Sequence, residues 1–175
     1  MRFLRRSAAA AGLAIAATVT AGCSAGGPAV PAGATTRAFT LPALGQGGAI
    51  SLARYAGHPV ILTFFASWCP TCQASAQTIA RFYRAYPRQA AVIGVDIGDR
   101  RAAGLRLVRA AGVGFPVAAS PTLRTAQAYG ASGLPATYFL NARHVVVYKA
   151  LGPVKWQQLV TGTTLMISPP GSRAS

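Results

Sequence analysis

At 175 residues the chain has room for one domain and accessory segments. Its formal net charge of +15 sets 17 Lys and Arg residues against two acids, Asp96 and Asp99. Such a balance ordinarily points to nucleic acid, but no basic stretch is interleaved with aromatics and the leader below directs the chain out of the cytoplasm, so no nucleic acid partner is expected. Attraction to anionic lipid head groups and a merely solvated arginine-rich surface both remain open.

Residues 1–22 read as an export signal. Arg2, Arg5 and Arg6 open it, and the apolar stretch from Ala8 to Gly22, about 15 residues, is too short to span a bilayer comfortably. Thr20-Ala21-Gly22-Cys23 resembles a bacterial lipoprotein processing box, with Cys23 as the lipidation site; Val19-Thr20-Ala21 also fits ordinary cleavage before small residues. There are three cysteines, and Cys69 and Cys72 belong together. Lipidation accounts for Cys23, which ordinary cleavage would leave as a spare exposed thiol. Both readings imply an oxidising compartment: the extracytoplasmic face of a bacterial cell membrane, lipid-anchored, or a soluble secreted or periplasmic setting. Residues 23–36, rich in Ala, Gly and Pro, read as a flexible tether. One domain is expected over 37–166, with a disordered tail over 167–175.

Within the domain, Arg37 to Leu52 carries short apolar pieces broken by Pro42 and a glycine cluster, which predicts a short strand or hairpin. Tyr55 to Pro59 is a turn. Val60-Ile61-Leu62-Thr63-Phe64-Phe65-Ala66 has the β-branched and aromatic run of a buried strand. Gln73 to Tyr86 reads as a helix with both cysteines of Trp68-Cys69-Pro70-Thr71-Cys72 on its first turn. Ala91 to Ile97 is a second buried strand. Arg100 to Ala111 is a helix with Leu105, Val108 and Leu107 as inward candidates and four arginines outward. Gly112 to Val117 leads into a short strand, and Pro121 to Tyr129 reads as a helix closed by Gly130. Ala136 to Leu140 and His144 to Lys149 are strands of an antiparallel hairpin, and Lys155 to Leu165 is a last helix. Alternating strands and helices ending in a hairpin make an α/β fold, a central mixed β-sheet with both faces covered by helices.

The two cysteines carry the chemistry. Unpaired N–H groups and the positive end of the helix dipole stabilise an anion at a helix start, and a thiolate is the reactive form of cysteine. Thiol–disulfide exchange follows, with Cys69 as attacking thiolate, Cys72 as resolving partner, and a redox-active Cys69–Cys72 disulfide. A structural zinc needs about four ligands, and His58 and His144 read as ordinary surface histidines; no metal and no cofactor are expected. A disulfide closing so short a loop would add little as a staple. Pro135, immediately before a strand, is a strand-start proline or a cis-proline; a cis bond would leave the Leu134 N–H and carbonyl free to pair with a substrate strand.

Phe64 to Cys72, with Gly133-Leu134-Pro135-Ala136-Thr137-Tyr138-Phe139-Leu140 downstream, resembles the thioredoxin superfamily, and most closely its exported, membrane-tethered TlpA, ResA and CcmG group of AhpC/TSA–redoxin type. Ala128-Tyr129-Gly130 and Leu151-Gly152-Pro153 also fit. The likeness covers about Arg37 to Leu165, including the group's insertion before the cis-Pro loop. It implies a thioredoxin-like fold, a cis bond at Pro135, an exposed Cys69 with Cys72 buried behind it, and docking or supporting roles for Trp68, Pro70, Thr71, Leu134 and Pro135. Members commonly reduce protein disulfides in cytochrome c maturation, fed by a membrane thiol electron donor, while some relatives act as oxidants. The expected partners are therefore protein thiols and disulfides, apocytochrome c among them, and a membrane thiol donor or acceptor, met by a monomer.

Two departures stand out. Relatives carry a glutamate three residues after the second cysteine, where this chain has Ser75, and thioredoxin a buried aspartate where it has Thr63. Loss of a nearby negative charge lowers the pKa of Cys69, and a stabilised thiolate favours the reduced form, which leans toward a more oxidising protein. Two other classes are disfavoured. Thiol peroxidases need a threonine where Ala66 stands and a proline where Leu62 stands, and copper carriers of this fold space their cysteines by three residues.

Overall fold

The computed structural model describes residues 36–168. The export signal, Cys23, nearly all of the tether and residues 169–175 of the tail fall outside the described residues.

A short antiparallel hairpin, β1 (Thr40–Pro42) and β2 (Ala49–Ser51), precedes the main sheet. That sheet has five strands in the order β5 (Val117–Ser120), β4 (Ala91–Ile97), β3 (Val60–Phe65), β6 (Ala136–Leu140), β7 (Val146–Leu151). β4 pairs with β3 and β5 with β4 in parallel, whereas β6 pairs antiparallel with β3 and β7 antiparallel with β6. The central position explains the sequence of β3: a strand covered on both faces reads as a near-continuous apolar run, and all six of its residues are buried, Thr63 the one polar side chain among them.

The helices α1 (Cys72–Ala85), α2 (Arg101–Ala110) and α4 (Trp156–Ile167) cover one face, where Ile61, Phe65 and Phe139 meet Ile79, Leu107, Leu159 and Met166. The short α3 (Arg124–Ala128) and the β1–β2 hairpin lie over the other, around Leu62, Phe64, Tyr129 and Tyr138. The sheet is thus mixed and flanked by helices, as the sequence pattern implied.

Several boundaries differ from the sequence reading, each for a local reason. The Cys69 carbonyl accepts the N–H of Cys72 in a tight turn, so the chain becomes helical only at Cys72, and Cys69 precedes α1 rather than lying on its first turn. α3 is five residues long because Ser120 Oγ donates to the Thr122 carbonyl and Thr122 Oγ1 accepts the N–H of Arg124, local bonds that compete with helix. His144 lies in a turn with φ 55°, held where Asn141 Oδ1 accepts the N–H groups of Arg143 and Val145; the last strand starts at Val146. On α2 the fully inward residues are Gly104 and Leu107, with Leu105 and Val108 only partly covered. α2 ends where Gly112, at φ 64°, lets Val113 N–H reach back to the Val108 carbonyl. α4 runs on to Ile167, two residues past Leu165.

Candidate active site

The strand register brings the candidate residues to one end of the sheet. Phe64 lies opposite Val95 on one side and Ala136 on the other, and Phe65 lies opposite Asp96. The Ser67–Thr71 segment after β3, the Gly98–Asp99 loop after β4 and Pro135 before β6 therefore gather at the carboxyl edge of the parallel strands, where the order reverses. That crevice is the usual binding position in open α/β sheets. His144 bonds the Tyr55 carbonyl through Nε2 in the turn between β6 and β7, and His58 precedes β3, so both sit at the opposite end.

Cys69 and Cys72 are joined as a disulfide, with Cα atoms 5.4 Å apart. Cys72 is the first residue of α1 and wholly buried; Cys69 is 6% exposed. Cys69 is thus less open than the resemblance implied, because its sulfur is tied inward to Cys72, but it remains the more accessible of the two. Thr71, the residue before α1, places its hydroxyl 3.7 Å from Cys69 Sγ. A hydroxyl there can donate to a thiolate once the disulfide opens. Pro70 is exposed beside it.

Trp68 is 59% exposed, which is unusual for so large a ring. Its indole Nε1 donates to the Ile97 carbonyl at 3.3 Å, so the ring is anchored by its edge and offers a face. The Leu134–Pro135 peptide is cis. Pro135 is buried and its carbonyl accepts the N–H of Gly152 at 2.8 Å, whereas the Leu134 N–H and carbonyl have no hydrogen-bond partner among the described residues. Leu134 packs against the core on both sides of the sheet.

The positions where an acid was missing are occupied by structural hydroxyls. Thr63 Oγ1 and Thr137 Oγ1 lie 3.1 Å apart across β3 and β6, both buried. Ser75 Oγ accepts the N–H of Val154 at 3.0 Å, tying α1 to the segment before α4. Each pair satisfies polar groups that burial would otherwise leave unpaired.

The two acids the chain does possess converge here, which the sequence did not indicate. Asp99 accepts the N–H of Ser67 through Oδ2 and the Ser67 hydroxyl through Oδ1, both at 2.6 Å. Asp96, at the end of β4, is 2% exposed. Burial first, then hydrogen bonding to and repulsion by Asp99, push its carboxyl up to about 8. The only signal was their rarity: two carboxylates in a strongly basic chain, three residues apart. Among the described residues no cluster of three or more His, Cys, Asp or Glu side chains is placed to hold a metal.

The sequence profile described as the AhpC/TSA family matches residues 32–149. The chain is similar to the thiol-disulfide oxidoreductase ResA of Bacillus subtilis (strain 168), at 29% identity over 108 residues, 61% of this chain and 60% of that protein. It is similar to the thiol:disulfide interchange protein DsbE homolog of Paracoccus denitrificans, at 30% identity over 95 residues, 54% of this chain and 51% of that one. The chain therefore spans between half and three fifths of these relatives. Among solved structures, a thiol:disulfide interchange protein of the thioredoxin family from Chlorobium tepidum TLS superposes with a TM-score of 0.67 at 18% identity, covering 77% of this chain and 96% of that one. That superposition assigns the thioredoxin-like fold.

Proposed function

The chain belongs to the AhpC/TSA family, and from that premise we propose that it is a thiol–disulfide oxidoreductase exchanging disulfides with protein substrates through Cys69 and Cys72. The observation that carries this reading is the asymmetric pair: a buried Cys72 behind a more accessible Cys69, joined as a disulfide at the start of α1.

In the reducing direction, the Cys69 thiolate attacks one sulfur of a substrate disulfide. A Cys69–substrate bond forms, the substrate S–S bond breaks, and the second substrate sulfur leaves as a thiolate. Cys72, deprotonated in turn, attacks Cys69 Sγ, releasing the first substrate sulfur and closing the Cys69–Cys72 disulfide. Two electrons pass to the substrate. A thiol donor at the membrane restores the dithiol by the same two exchanges run from its own sulfurs.

The chain's residues serve these steps in distinct ways. The start of α1 and the Thr71 hydroxyl stabilise the Cys69 thiolate. The exposed face of Trp68 and the unpaired backbone of Leu134 beside Pro135 offer an extended substrate an apolar contact and two hydrogen bonds. Because Cys72 is fully enclosed, it reaches only Cys69 Sγ, so exchange with substrate runs through Cys69.

The substrate class we assign is the disulfide of an apocytochrome c or a similar exported protein. The resemblance to ResA and DsbE proteins supports this assignment. The leader and Cys23 support a lipid-anchored position outside the cytoplasm; among the described residues no helix is long and apolar enough to cross a membrane. One observation favours the opposite direction, oxidation of secreted proteins: Thr63 and Ser75 place uncharged hydroxyls where relatives carry acids, and fewer negative charges favour the thiolate and a higher potential.

Trapping separates these readings. A Cys72→Ala variant expressed with its own leader should accumulate a mixed disulfide at Cys69. An apocytochrome as the trapped partner supports reduction in cytochrome maturation, and a broad set of secreted proteins supports oxidative folding. No adduct at Cys69 contradicts both.

A further inference from the structure

We propose that Asp99 and Asp96 act as a carboxylate–carboxylic acid pair that positions the Ser67–Trp68 segment and, through the charge it holds there, sets the reactivity of Cys69. The inference rests on the exchange reading above but concerns different residues. Asp99 is the positioning residue, and Asp96 is the acid that holds it.

Two consecutive residues leading into Cys69 are fastened to the end of β4 and the loop that follows it. Ser67 gives both its N–H and its hydroxyl to the two oxygens of Asp99, each at 2.6 Å, and Trp68 gives its indole N–H to Ile97. Bonds to an ionised carboxylate are shorter and about twice as strong as neutral ones. A two-point attachment also fixes direction. The Cys69 N–H then closes onto the Ala66 carbonyl at 3.3 Å, so the attachment at Ser67 lies inside the turn that carries the cysteine.

Asp96 explains why Asp99 stays in place. Its carboxyl projects toward α2 at Gly104, where a Cβ would come within 2.8 Å of Asp96 Cγ. Its Oδ1 has no hydrogen-bond partner, and its side chain is within hydrogen-bonding reach of Asp99. A buried carboxylate without a cation is strongly disfavoured, so the group keeps its proton. As a neutral acid it can donate that proton to Asp99, leaving Asp99's other lone pairs for Ser67.

The charged surroundings fit this arrangement. β3, β5 and the segment around Leu44 bring no charged side chain. α1 carries Arg81 and Arg84 on its exposed side, and Arg84 donates to the Gly112 carbonyl. Arg100 is exposed before α2, and Arg101 at its start is engaged by the Ala43 and Gly45 carbonyls of the hairpin loop. Among the described residues Asp99 is thus the only titratable partner of Asp96. Raising the pH through about 8 ionises Asp96, sets two like charges side by side and removes the donated proton.

The oxidised protein isolates this event, because disulfide-bonded cysteines do not titrate. In a Trp156→Phe background Trp68 is the only tryptophan. Its emission should show a transition centred near pH 8 that disappears in Asp96→Asn, whose amide can donate to Asp99 but cannot ionise. Asp99→Asn should give, at pH 6, the Trp68 emission of the alkaline form. If that variant fails to fold, Ser67→Ala, which keeps the N–H bond and loses the hydroxyl, should give an intermediate spectrum.

In the reduced protein, loss of the Asp99 charge should speed alkylation of Cys69 by iodoacetamide at pH 7 about threefold, through a lower thiol pKa. No transition, a transition that survives Asp96→Asn, a Ser67→Ala spectrum identical to the parent, or an unchanged or slower alkylation of Asp99→Asn overturns the proposal. The exchange reading fails separately, on the absence of a Cys69 adduct with substrate.

Discussion

Asp96 makes stability depend on pH with a definite sign. An unfolded chain releases this proton near the ordinary value of 3.8, whereas the folded chain holds it to about 8 because burial and Asp99 disfavour the anion. Between those values the folded state binds more protons, so its stability is greatest below the lower value and falls as pH rises toward and through the upper one. We expect the thermal midpoint of the oxidised protein to fall between pH 5 and pH 8.5, and Asp96→Asn to flatten that fall; circular dichroism melts at several pH values measure both. The role of Asp96 was not legible in the sequence, because an isolated Val-Asp-Ile-Gly-Asp stretch reads as the end of a strand. What makes it matter is three-dimensional: Ser67 comes to Asp99 from the neighbouring strand, and Gly104 on α2 leaves room for the carboxyl. Thr63 and Ser75 were visible as departures from the resemblance, but their partners, Thr137 and Val154, lie 74 and 79 residues away.

At the scale of elements, the patterns that were legible are those that depend on burial. β3, β4 and β6 are largely apolar runs because they are covered on both faces, and β4 occupies Ala91 to Ile97 just as its sequence predicts. The ends that moved are those decided by local hydrogen bonds, a backbone turn at Cys69 and side-chain to backbone bonds at Thr122 and Asn141, which outweigh weak helix or strand preferences. One packing contact is also invisible to periodicity. Gly162 of α4 sits directly over Phe139 of β6, and a Cβ there would lie within 2.5 Å of the ring's Cε1 and Cγ atoms. Phe139 is fully buried and cannot turn away. Gly162→Ala should therefore destabilise the fold by about 1–3 kcal/mol through overpacking, despite the better helix propensity of alanine. Urea unfolding measures this, and a neutral or stabilising result would mean that α4 can shift off the sheet.

For the whole molecule, the mixed sheet has gathered at one end a disulfide, an exposed tryptophan, a cis-proline loop and the chain's only two acidic side chains. Asp96 is buried and Asp99 is committed to Ser67, so the outer surface offers cations with little acid to balance them. Such a surface attracts anionic partners in a salt-dependent way, and it leaves the active-site end as the one place where negative charge is built in. The redox motif and the fold were legible because they rest on local runs of residues; the carboxyl pair that borders the motif was not, because it is assembled from two strands and a helix. The central claim, that exchange proceeds through Cys69 with Cys72 resolving, is tested most directly by a single turnover of the reduced protein with a disulfide-bonded peptide, quenched in acid and resolved by mass spectrometry. The wild type should finish as the Cys69–Cys72 disulfide with both peptide thiols free, Cys72→Ala should stop as a one-to-one mixed disulfide on Cys69, and Cys69→Ala should form no adduct. An adduct on Cys72 in Cys69→Ala, formed as fast as that on Cys69 in Cys72→Ala, would contradict the account.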